Sequence, residues 1–195
     1  MLNLGIIGYG GRMHDVMKCI LQYPDVRLAA ITDMRNDELK AEMEEKGFTG
    51  IHYYTDAEEM LQKEKLDGVC IGTRCSSHTH FALLVAKYNI PMFLEKPVCT
   101  TEEDLERLKG ILHINDKVVV SFPLRMTRLL QKVKEIVDSG KLGTIEHVQA
   151  YNNVPYGRGY YHKWYRDEKE TGGLFLQKAT HDLDYINYLL GDNKP

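Results

Sequence analysis

The chain has 195 residues, 43% hydrophobic and 27% charged, with a formal net charge of −3, the length of one domain or of one domain and the beginning of a second. This composition excludes disorder and collagen-like repeats, and its slightly acidic balance offers no basic field to a nucleic-acid backbone or an anionic membrane. No apolar run approaches the ~20 residues that a spanning helix requires.

Strand-like and helix-like segments alternate along the chain. Leu2 to Ile7 is a short apolar run ending in glycines, and Val16 to Leu21 lies in a helix-length segment. Val26 to Ile31 reads as a second strand, followed by a helix from Asn36 to Lys46 with Gly47 as its stop. Ile51 to Tyr54 fits a short third strand and Ala57 to Lys65 a helix. Gly68 to Gly72 is a buried-type strand, His78 to Tyr88 a helix, and Pro91 to Leu94 the fifth strand. Thr100 and Thr101 before Glu103 and Asp104 predict a capped helix running to about Ile114. Val118 to Phe122 completes six strands, all apolar enough to be buried on both faces. Strands alternating with helices mean βαβ crossovers and a doubly wound parallel α/β sheet.

The pattern then changes. Thr127 to Ser139 predicts an amphipathic helix, stopped by Gly140, and Thr144 to Tyr151 alternates like a strand. Asn152 to Gly173 is an aromatic-rich loop, and Leu174 to Leu190 a last helix. The expected organisation is a dinucleotide-binding domain over 1–122 and the start of an α+β substrate domain over 123–195.

Four motifs carry chemistry. Gly8-Tyr9-Gly10-Gly11-Arg12-Met13 lies between the first strand and the first helix. There Gly8 permits the tight turn and Gly10 lets a pyrophosphate approach N–H groups at a helix N-terminus. Met13 stands at the third glycine position, so strand and helix are expected to pack unusually. Asp33 closes the second strand, where a carboxylate accepts ribose hydroxyls and favours NAD; Arg35 could instead hold a 2′-phosphate, so NADP stays open. Glu95-Lys96-Pro97 follows the fifth strand at a carboxyl end, where ligands bind and the lysine can aim at a reacting hydroxyl. His181 and Asp184, after Gly172-Gly173, share a helix face, so a proton-carrying imidazole can be oriented by a carboxylate. Cys75, His78 and His80 superficially suggest zinc, but the two histidines at i and i+2 share no helix face and no fourth ligand is evident; no metal is expected.

These residues resemble the Gfo/Idh/MocA family of NAD(P)-dependent oxidoreductases. The likeness runs in order through IIGYGGR at 6–12, TRCSSHTHFA at 73–82, FLEKPVCTT at 93–101, FPLR at 122–125, SGKLG at 139–143, Trp164 and the GG…HxxD segment ending at Asp184. It implies cofactor contacts from Gly8, Gly10, Gly11, Arg12, Met13, Asp33, Arg35, Thr73, His78, Glu95 and Lys96. It implies catalysis by Lys96, helping deprotonate the substrate hydroxyl beside the nicotinamide, and by His181 as acid/base, with Asp184 positioning it or the substrate. Arg125, Trp164 and Gln177 are expected on the substrate side. Trp164 with Tyr156, Tyr160, Tyr161 and His162 fits either a polyol site or a packed core, and both readings stay open. Gln177 stands where the family often has an acid, and an amide cannot transfer a proton.

The reaction expected is hydride transfer between NAD, with NADP open, and a secondary hydroxyl or ketone of a sugar, inositol or related polyol. The alternatives are a non-catalytic NAD-binding sensor or scaffold, and a hydrolase or eliminase that oxidises its substrate transiently. The family's second domain carries a large antiparallel sheet, of which this chain would hold only the opening part, either as a shortened form or as a remnant. Apolar surface left uncovered would make a homo-oligomer. MLNLGIIGYG shows no basic leader, and Cys19, Cys70, Cys75 and Cys99 form no CxxC pair, so the cytoplasm is the expected location.

Overall fold

A computed structural model describes residues 1–153, 155 and 157–191 of the chain. It divides into two compact units, Met1–Val120 and a second one beginning at Ser121.

The first unit is a six-stranded sheet of β1 (Leu2–Ile7), β2 (Val26–Thr32), β3 (His52–Tyr54), β4 (Gly68–Ile71), β5 (Met92–Leu94) and β6 (Val118–Val120). The strands lie in the order β3-β2-β1-β4-β5-β6, all pairs parallel. Between them run α1 (Gly11–Ile20), α2 (Asn36–Glu45), α3 (Ala57–Lys63), α4 (His78–Lys87) and α5 (Glu102–Lys109). This is a Rossmann-type α/β fold. Strand order reverses between β1 and β4, and a doubly wound sheet opens its crevice at such a reversal.

Side-chain alternation builds a core on each face of the sheet. Ile6 and Cys70 point to one side with Met13, Met17, Leu28, Ile31, Leu39 and Met43. Ile7, Val69 and Ile71 point to the other with Met60, Leu61, Val85 and Leu94. Local signals start the helices: Asp56 caps α3 through the Glu59 N–H, and Thr101 caps α5 through the Asp104 N–H. α5 stops at Lys109, short of Ile114, and the chain continues as a 3-10 turn from Leu112 to Lys117.

The sixth strand corrects an expectation. It ends at Val120, and Val119 is 62% exposed. Among the described residues β6 is an edge strand with one neighbour, and three valines in sequence cannot reveal that Val119 is left exposed.

The second unit holds α6 (Arg128–Asp138), α7 (Arg158–His162), α8 (Glu168–Thr171) and α9 (Leu174–Leu190). The segment 152–173, expected as a loop, thus contains two short helices and a 3-10 turn at Trp164–Arg166. Residues 144–151 form no strand, against their alternating pattern. Among the described residues the second unit has no strand to pair with them, and unpaired extended backbone gains nothing over hydrated coil. No helix among the described residues is long and apolar enough to cross a membrane.

Candidate functional site

The turn after β1 is built around glycine. Gly8 adopts φ +82, and a Cβ there would lie 2.6 Å from the Thr73 side chain and 2.8 Å from its backbone nitrogen. Only glycine allows both the conformation and that approach. By contrast, a Cβ at Gly10 would meet nothing nearer than 3.9 Å, and one at Gly11 nothing within 4 Å. These two glycines leave open space over the start of α1.

That helix start suits an anion. α1 has no side-chain cap at Gly10 and no acidic residue in its first turn, whereas α2, α3 and α5 begin with two or three acids each. The N–H groups of a helix's first turn lack intrahelical acceptors and carry the positive end of its dipole. Uncapped, they present donors to a phosphate group.

Asp33 flanks the turn and holds it. Its Oδ2 accepts the Tyr9 N–H at 2.8 Å, and its Oδ1 accepts the Arg35 N–H at 2.9 Å. The Arg35 Nε lies 3.3 Å from the same Oδ1, and Arg35 Nη2 donates to the Tyr9 carbonyl at 2.9 Å. The tyrosine ring is buried, and burial, then Glu42 and Tyr53, push its hydroxyl up to about 12.

Two expected cofactor contacts are corrected. Met13 is fully buried and faces the core. The small residue that the turn needs has moved across to Gly72 at the end of β4, where a Cβ would sit 2.6 Å from Met13 Cε and 3.1 Å from Met13 Cβ. His78 is 1% exposed and serves as a brace. Its Nδ1 lies 2.7 Å from the Pro97 carbonyl and its Nε2 3.2 Å from the Thr73 carbonyl. The ring thereby ties the loop after β4 to the turn after β5.

At the end of β5, Glu95 is buried and pairs with Arg12 Nε at 3.2 Å. This pair links the first turn of α1 to the residue preceding Lys96, which is itself half-buried. Nothing local in the sequence signals it, because the partners are 83 positions apart. Gly10, Gly11, Arg12, Asp33, Arg35, Thr73, Glu95 and Lys96 therefore border the carboxyl ends of β1, β2, β4 and β5.

The second unit carries its own polar group. Gly172 and Gly173, both at positive φ, turn the chain into α9. On that helix Gln177, His181 and Asp184 fall at i, i+4 and i+7 and share a face. Gln177 and Asp184 are buried. The Asp184 carboxylate is engaged by Arg125, whose Nε lies 2.9 and 3.1 Å from its two oxygens and whose Nη2 also donates to it. Arg125 in turn lies 5.5 Å from the Phe122 ring centre and 5.4 Å from that of Tyr188. His181 meets Phe122 edge-on at 6.0 Å. Asp184 is thus held by Arg125, a bidentate guanidinium being a strong partner for a buried carboxylate.

Trp164 stacks on Tyr165 at 4.0 Å, Tyr165 packs against Tyr160 at 5.0 Å, and Lys178 lies 4.8 Å over the Tyr160 ring. Tyr161 and His162 are exposed, and Tyr156 lies outside the described residues.

Comparison with known proteins follows the same division. Residues 2–122 match the family described as "Oxidoreductase family, NAD-binding Rossmann fold", and residues 130–194 match the "GFO/IDH/MocA C-terminal domain". The myo-inositol 2-dehydrogenase of Thermotoga maritima is 28% identical over 98% of this chain and 55% of its own length. The WlbA dehydrogenase of Bordetella pertussis, solved in complex with NADH and UDP-GlcNAcA, superposes with a TM-score of 0.81 at 26% identity, covering 97% of this chain and 55% of its own. A myo-inositol 2-dehydrogenase from Lactobacillus plantarum shares the fold at a TM-score of 0.84 and 22% identity, over 97% of this chain and 56% of its own. The chain spans a third to just over half the length of the curated relatives it matches.

Proposed function

The chain belongs to the Gfo/Idh/MocA family of NAD-binding oxidoreductases, and from that membership we propose that it transfers hydride between NAD and a secondary hydroxyl or ketone of an inositol, sugar or related polyol. The observation that carries the cofactor half is the open N-terminus of α1, uncapped and glycine-lined, with Asp33 at its flank. The polyol half is supported by the inositol dehydrogenases among its relatives.

Gly10 and Gly11 would receive the pyrophosphate on backbone N–H groups, and Asp33 would accept ribose hydroxyls. Thr73 and Glu95 would border the cofactor on the β4 and β5 side. The bound dinucleotide supplies a hydride acceptor at its nicotinamide ring. Lys96, as an ammonium, would stabilise the alkoxide that forms when the substrate hydroxyl loses its proton, and as an amine would take that proton. Where Lys96 is the ammonium, His181, as a neutral imidazole, would instead be the acceptor of that one proton, at a ring nitrogen. Gln177 would orient a hydroxyl without titrating, and Arg125 with Asp184 would fix α9 and meet polar substrate groups beside Trp164.

The test is NADH formation by this chain with NAD and a panel of inositols, sugars and polyols. Turnover of one panel class is expected, falling by about a hundredfold or more in Lys96→Ala. Unchanged turnover in that variant would remove the lysine from the chemistry.

A second reading is NAD binding without turnover. It is favoured by the amide of Gln177 at a buried position beside His181, and by Asp184 being held by Arg125. Heat of NAD binding with no NADH from any panel member would select it.

A further inference from the structure

Lys46, Lys63, Lys109, Lys132 and Lys134 each bond an acid three or four positions away. Lys178 has Asp182 at that spacing on α9 and does not take it. Half-buried, it places its Nζ 4.8 Å from the centre of the Tyr160 ring. That ring packs on Tyr165, which stacks on Trp164. An aromatic face attracts a cation through its quadrupole but carries no charge to cancel it.

The acids of α9 are engaged elsewhere. Asp182 accepts a hydrogen bond from Asn152 Nδ2 at 2.6 Å, and Asp184 is held by Arg125. Beside Lys178 in sequence, Gln177 is a neutral amide. Among the described residues Lys178 forms no ion pair, so the ammonium has a fixed place and an unmatched charge. It also stands three positions before His181. Side chains at that spacing on a helix are neighbours, about 5–6 Å apart at Cβ, and one small molecule can meet both.

We propose that Lys178 recognises an anionic group of the substrate, and that the substrate is a sugar or polyol bearing a carboxylate, of the uronate or aldonate class. One ammonium matches a carboxylate of charge −1. A phosphate monoester, near −2, would leave a charge over, because the guanidinium of Arg125 is already spent on Asp184. The proposal rests on the polyol oxidoreductase reading above and names the substrate class within it.

Calorimetric titration of the chain, with and without NAD, tests it by comparing glucuronate, galacturonate and gluconate with glucose, galactose, myo-inositol and glucose 6-phosphate. One of the three acids is expected to bind about tenfold or more tighter than the neutral compounds, the size of one charge-assisted hydrogen bond. That preference should shrink as salt is raised. In Lys178→Met the ratio of acid to neutral affinity is expected to fall about tenfold, while Lys178→Arg keeps the charge and most of the ratio. Taking the ratio within each protein separates charge recognition from any loss of folding. Neutral compounds bound as tightly as the acids, the phosphate ester bound tightest, a ratio unmoved in Lys178→Met, or no binding of any compound would overturn the proposal. An acid bound through Lys178 without NADH formation would uphold the recognition and overturn hydride transfer. Failure of NAD itself to bind would overturn the cofactor reading, while the titrations without NAD still decide the role of Lys178.

Discussion

His78 joins two loops through a single ring. Both ring nitrogens face carbonyl oxygens, of Pro97 and Thr73, and a neutral imidazole can donate to only one of them. Burial lowers its pKa by more than the two carbonyls raise it, so the folded chain favours the neutral ring. The unfolded chain then binds the proton more readily. The stability this group contributes is complete above about pH 6.5, its unfolded value, and is lost as pH falls through the lower folded value. Thermal melts from pH 7.5 to 5 should show a falling midpoint, with a shallower fall in His78→Gln. Equal slopes in the two proteins would show that the ring stays outside the titration. Met13 and Gly72 teach a related lesson: a bulky side chain where the turn motif expects a small one is absorbed by a glycine on a neighbouring strand.

At the scale of elements, the start of α1 is where the proposed function puts the pyrophosphate. Three other helices of the first unit begin with their own acids: Asp37 and Glu38 in α2, Glu58 and Glu59 in α3, Glu102 and Glu103 in α5; α4, like α1, has none. α1 forgoes that stabilisation, which is worth about 0.3–1 kcal/mol per acid at a helix start, and its positive end stays uncompensated by side chains of its own first turn. Gly11→Asp makes the trade visible, since the position is open. Its melting temperature should hold or rise, while NAD affinity measured by calorimetry falls about tenfold or more through like-charge repulsion at the pyrophosphate. An unchanged affinity would place the pyrophosphate elsewhere.

For the molecule as a whole, the first unit buries its core on both faces of the sheet, and the second leaves much apolar surface in water. Met126 is 74% exposed, Leu129 77%, Tyr151 78% and Phe175 75%. α6 carries an apolar stripe of Leu129, Leu130, Val133, Ile136 and Val137, yet it buries no residue. Surface of this kind drives association. Light scattering is expected to find a multimer whose mass grows with concentration, and Leu129→Glu with Phe175→Glu should shift it toward the monomer. A clean monomer at high concentration would count against association.

What the sequence determined by itself was whatever depends on local or periodic signals. Alternating apolar runs and helix-length segments specified the parallel α/β sheet, since hydrophobic period and connection length suffice for that. The places of Gly8-Tyr9-Gly10-Gly11, Asp33 and Lys96 at strand ends were legible because each follows an apolar run directly. The tertiary structure alone decided the long-range pairings: Arg12 with Glu95, Arg125 with Asp184, His78 between two loops, and Met13 against Gly72. It also decided that β6 is a half-covered edge and that 144–151 is not a strand. The reason is common to all of these. A carboxylate's partner, a strand's neighbour and the room beside a side chain depend on residues tens of positions away, brought close only when the sheet is assembled.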